Sequence, residues 1–116
     1  MALKEFIEPW ILDAEACICE AVAFEVLRHA TPKERKQIEQ QFSTLPLLKT
    51  PASLWRDATS LGQKCHDKGL NAGSLDLLIA ALAIHHGAEI ITFDADYVRM
   101  AEVSVLKVNL LERPGN

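Results

Sequence analysis

Long apolar stretches are missing from this chain. The longest uninterrupted run, Leu77 to Ile84, falls far short of the roughly twenty residues that a membrane-spanning helix needs. Met1–Trp10 has no basic lead into an apolar segment, so a soluble, cytoplasmic protein with no membrane partner is expected. Cysteine is scarce: Cys17, Cys19 and Cys65 cannot all pair within the chain, which disfavours a secreted disulfide framework and suits a reducing compartment. Cys17 and Cys19 stand only two apart on what reads as a strand, whereas closed zinc sites use wider pairs. The cysteines therefore read as small buried hydrophobes rather than as zinc ligands with His66. A basic surplus is missing as well. The net charge of −4 does not advertise a nucleic-acid binder, although carboxylates clustered at a site lower the total by themselves. No GxSxG, Walker-A or GxGxxG motif occurs, which disfavours serine hydrolases, P-loop NTPases and dinucleotide enzymes.

What is present is a pattern of alternating helices and strands. At 116 residues and 49% hydrophobic, the chain fits one globular domain with a sizeable core. Leu3, Phe6, Ile7, Trp10 and Ile11 recur at helical spacing, with Pro9 interrupting the ladder. Ala16–Cys19 reads as a short strand and Ala21–His29 as a helix that carries Glu25. Thr31-Pro32-Lys33-Glu34 predicts an N-cap, a first-turn proline and a capping box, opening a polar helix to about Gln41. Leu45–Lys49 reads as a strand weakened by Pro46. Thr50-Pro51 repeats the cap-and-proline signal ahead of a helix whose buried stripe is Leu54, Ala58, Leu61 and Cys65, ended by Gly69. Asp96–Glu102 fits a short helix and Leu106–Leu110 a last strand, and the tail from Arg113 has little reason to order. Such alternation predicts a three-layer α/β/α fold around a mainly parallel sheet.

The segment from Gly73 to Tyr97 holds the chemistry. Ser74 is a plausible cap and Gly87 a plausible stop for a helix rising roughly 18 Å, and the strand Glu89–Phe93 returns about 16 Å. Matching lengths bring Asp76, in the first helical turn, to the same edge as Asp94, just past the strand. In open α/β sheets that edge is where ligands bind. Two converging acids suit a hard divalent cation such as Mg²⁺ or Mn²⁺. A second reading stays open, because a first-turn Asp is favoured by the helix dipole and an Asp after a strand is often a turn residue.

The string DLLIAALAIHHGAEIITFDADY, with EVLRHA at 25–30 and LKV at 106–108, resembles the PIN-domain family, above all its bacterial VapC-type toxins. The resemblance implies a five-strand sheet and a metal-dependent ribonuclease. Its site would comprise Glu25 from the E-[VL]-L helix, Asp76 from the DxLIAA helix and Asp94 after the TxD strand, with Asp96 an extra carboxylate nearby. Mg²⁺ or Mn²⁺ would be the cofactor, RNA the substrate and an antitoxin protein the partner. The family's opening strand, with its Asp followed by Thr or Ser, has no counterpart in Met1–Trp10. This departure raises three expectations: flanking strands that close up, a strand supplied by another chain, or a fragment of a longer protein. With the Leu3, Phe6, Ile7, Trp10 stripe it also predicts a C₂ homodimer or higher oligomer. A non-catalytic PIN-like interaction module is the competing expectation.

The remaining candidates have plainer readings. Arg28, Lys33, Arg35 and Lys36 read as a solvated helix face ahead of a phosphate track. His85 and His86 point about 100° apart and suit a helix C-terminus. Trp10 and Trp55 read as core or interface residues. Thr92 is either an orienting hydroxyl for a water or an ordinary strand residue.

Overall fold

The computed structural model describes residues 17–112. The helix expected over Leu3–Ile11, the expected lack of an opening strand and the C-terminal tail concern residues outside those described. The chain divides into two compact units, one containing residues 17–49 and the other residues 50–112.

In the first unit, Ile18 and Leu47 form an isolated parallel bridge: the Ile18 N–H donates to Pro46 O at 2.9 Å and the Leu48 N–H to Ile18 O at 2.8 Å. Among the described residues, the strands expected at Ala16–Cys19 and Leu45–Lys49 appear as that bridge, and helix α1, Glu20–Leu27, closes the first of them two residues after Ile18. Helix α2, Pro32–Phe42, has the expected capping box. Thr31 Oγ1 accepts from the Glu34 N–H at 3.2 Å, and the Glu34 carboxylate accepts from the Thr31 N–H at 2.9 Å. That acceptance favours the charged carboxylate and holds the Glu34 carboxyl below its ordinary value. Neither helix buries a residue fully.

The second unit opens with α3, Leu54–Asp67, which buries the expected stripe of Leu54, Ala58, Leu61 and Cys65. Burial pushes the Cys65 thiol above its ordinary value by penalising the thiolate. The start of α3 differs from expectation. Thr50-Pro51 precedes a turn in which the Leu54 N–H donates to Pro51 O, and Ser53 is the cap residue, its hydroxyl donating to Asp57 Oδ2 at 2.8 Å. Trp55 is 70% exposed, so its core reading is corrected: it stands beside the buried stripe, not on it.

Helix α4, Ser74–His86, packs on α3 and buries Ile79 through Ala83 consecutively, as a helix surrounded by protein does. Its cap is Gly73 rather than Ser74. Gly87 ends it in the left-handed region at φ 64°, and the Ala88 N–H donates back to Ala83 O. Approach to α3 is close at Gly62, where an added Cβ would stand 3.2 Å from Leu77 Cδ1. Strand β1, Glu89–Thr92, pairs in parallel with β2, Lys107–Leu110, through the crossover helix α5, Asp96–Glu102. Met100 and Tyr97 of α5 are buried. The described chain is thus a helix-rich α/β structure with a parallel sheet. Among the described residues no helix is long and apolar enough to cross a membrane.

Candidate active site

Asp76 is the third residue of α4, half-buried in its first turn. Its Oδ1 accepts from the Tyr97 hydroxyl at 2.9 Å, a bond between residues 21 apart in sequence. Its Oδ2 lies toward the helix start, 3.4 Å from where a Cβ on Gly73 would be. Asp94 follows β1 in the loop that opens α5. Its N–H donates to Thr92 Oγ1 at 3.0 Å, and its own Oδ1 accepts from the Asp96 N–H at 2.9 Å, a local side-chain turn that tethers the start of α5. The Tyr97 N–H donates to the Asp94 carbonyl at 3.3 Å. One residue therefore bonds the Asp76 side chain and the Asp94 backbone together. The helix out and the strand back account for this meeting, because α4 begins and β1 ends at the same edge.

Thr92 spends its hydroxyl on the Asp94 backbone, the orienting function of a strand-end threonine toward the following turn. Asp96 is exposed and pairs with Arg99 at 3.6 Å. Among the described residues of this unit no three His, Cys, Asp or Glu side chains converge as a ligand group would. The donors at this edge are all carboxylate oxygens, and Asp94 and Asp96 are open to solvent. His85 and His86 lie at the other end of α4, their rings edge to face at 4.9 Å.

Glu25 belongs to α1 in the first unit, where both its carboxylate oxygens face Arg28, at 3.2 and 3.4 Å. Arg28, Arg35 and Lys36, with Leu27 and Glu39, line a groove of about 430 Å³ where α1 gives way to α2. Arg35 is bonded to Glu39 at 2.6 Å, so two of the three cations there already face carboxylates, as a solvated ion-paired face does. Cys19 and Cys65 are buried as expected, whereas Cys17 is exposed.

Tyr97 and Gly73 were not singled out from the sequence. The signal for Tyr97 was available: a tyrosine in the first turn of a short buried helix needs a partner for its hydroxyl, and the nearest acids are those of the motif.

Comparison with known proteins gives a consistent grouping. Residues 2–103 match the family described as PIN domain. Ribonuclease VapC21 of Mycobacterium tuberculosis is 33% identical over 73 residues, 61% of this chain and 53% of that protein, so the matched stretch spans about half the length of that relative. Ribonuclease VapC11 of the same organism is 33% identical over 97 residues, covering 81% of this chain and 72% of that protein. Among solved structures, VapBC2 from Rickettsia felis bound to a DNA fragment from their promoter superposes with a TM-score of 0.71 at 22% identity, over 93% of this chain and 84% of that one.

Proposed function

The chain belongs to the PIN-domain family, and on that premise we propose that it is a VapC-type toxin ribonuclease that hydrolyses RNA phosphodiesters in the cytoplasm with Mg²⁺ or Mn²⁺. The observation that carries the reading is the joining of Asp76 and Asp94 through Tyr97 where α4 begins and β1 ends, inside the matched segment. A donor set made only of carboxylate oxygens suits a hard divalent cation such as Mg²⁺ or Mn²⁺ and offers none of the imidazole or thiolate that zinc and copper sites favour. Asp76 and Asp94 are the proposed holders, with Asp96 contributing charge, and Glu25 is proposed as a further ligand on the family resemblance alone. When bound, the cation supplies Lewis acidity and an activated water for in-line phosphodiester cleavage. Asp76 offers Oδ2, its Oδ1 being committed to Tyr97. Asp94 offers Oδ2, its Oδ1 being committed to the Asp96 N–H. Glu25 must share its carboxylate with Arg28. A protein antitoxin and self-association complete the proposal.

A non-catalytic interaction module is the second reading, favoured by the lack of a three-residue donor group among the described residues of the second unit. RNA cleavage by purified protein separates the two. Cleavage that requires Mg²⁺ or Mn²⁺, is lost in EDTA, and falls at least a hundredfold in Asp94→Asn and Asp76→Asn is the expected result. Equal degradation by wild type and both variants overturns it in favour of the module.

A further inference from the structure

We propose that Tyr97 is a positioning residue for the acidic pair: its phenol holds Asp76 Oδ1 so that Oδ2 is offered to a cation, while its backbone N–H holds the loop that carries Asp94. This deepens the carboxylate-site reading and rests on it. Tyr97 is 6% exposed, so its ring is fixed by packing and its hydroxyl cannot exchange its partner freely with water. The bond to Asp76 measures 2.9 Å and the one to the Asp94 carbonyl 3.3 Å. Asp94 and Asp76 come from different elements, and no bond joins them directly among those described; Tyr97 supplies the link. Gly73 sets no side chain beside Asp76 Oδ2 on the helix-start side; a Cβ there would stand at 3.4 Å, ordinary contact distance. With phenylalanine at position 97 the ring and its packing stay, but the Asp76 carboxylate regains rotamers that cation binding must then remove. Partners in this outer position typically change metal affinity by about 10 to 100-fold.

The test uses the full chain stripped of metal, with wild type, Tyr97→Phe, Asp76→Asn and the double variant compared by thermal unfolding across a Mn²⁺ titration. In EDTA, Tyr97→Phe should melt within a few degrees of wild type. It should then need on the order of ten times more Mn²⁺ for the same rise in Tm. In the Asp76→Asn background the Phe substitution should add no further loss, because Tyr97 acts through Asp76. Equal Mn²⁺ dependence of wild type and Tyr97→Phe overturns the role of Tyr97 alone. A Tyr97→Phe protein that is unfolded in EDTA also overturns it, by making the hydroxyl a structural group. A wild type that gains nothing from Mn²⁺ removes the cation site itself and the positioning role with it.

Discussion

Helices α2 and α4 are of similar length, eleven and thirteen residues, yet opposite forces hold them. α2 buries nothing fully and relies on bonds within its own sequence: the Thr31–Glu34 capping box and the Arg35–Glu39 pair. α4 has no side-chain cap and relies on five consecutive buried residues packed by protein. Local bonds fix where a helix begins but not what stands beside it. Burial fixes both, and the acid with a long-range partner, Asp76, rides on the buried helix.

The contrast breaks most readily in the core. Leu82→Ala, at a residue 3% exposed, should cost about 2–5 kcal/mol in urea unfolding, whereas Ile38→Ala on α2, half-buried, should cost under about 1.5 kcal/mol. Similar losses would show that α2 is held by packing after all. A smaller effect sharpens the other side: Thr31→Ala should destabilise by about 1 kcal/mol through loss of the cap. Helix content from circular dichroism should fall in step if the loss is local to α2.

The smallest expected effect is a pH dependence. The Glu34 carboxyl is lowered in the fold, so its contribution is present above the ordinary carboxylate value and is lost as pH falls through the lowered folded value. The Tm gap between wild type and Glu34→Gln should therefore narrow on acidification below the ordinary carboxylate range. A gap that widens on acidification reverses the sign and refutes the charged capping box.

Elements with short-range causes could be read from the sequence. The capping box at Thr31 and Glu34, the stripe Leu54, Ala58, Leu61, Cys65 and the span Asp96–Glu102 each depend on residues within a few turns, and each stands in the structure as expected. Elements whose limits depend on distant neighbours were harder. The strand at Leu45–Lys49 needs a partner, and among the described residues it pairs with Ile18 alone before α1 begins. Thr50-Pro51 looks locally identical to the Thr31-Pro32 start, but the chain makes a turn before α3, and nothing in the dipeptide distinguishes the two. The lengths of one helix and one strand placed Asp76 and Asp94 at a common edge, and the family resemblance supported the pair. The residue that links them, Tyr97, meets Asp76 through its hydroxyl and Asp94 through its backbone N–H, and it comes from a third element, so it escaped a reading built on pairs.

Gly62 carries no charge and makes no bond to either acid, yet its missing methyl group sets how closely α3 can lie against Leu77, the residue after Asp76. An alanine there forces the Leu77 side chain to give by a few tenths of an ångström or moves the two helices apart. Position 62 thus bears on the helix that carries Asp76 through packing alone, without sharing the chemistry of the carboxylates. Whether a methyl group at position 62 is tolerated therefore turns on how far the end of the Leu77 side chain can move, so a smaller residue at 77 should ease a Gly62→Ala change.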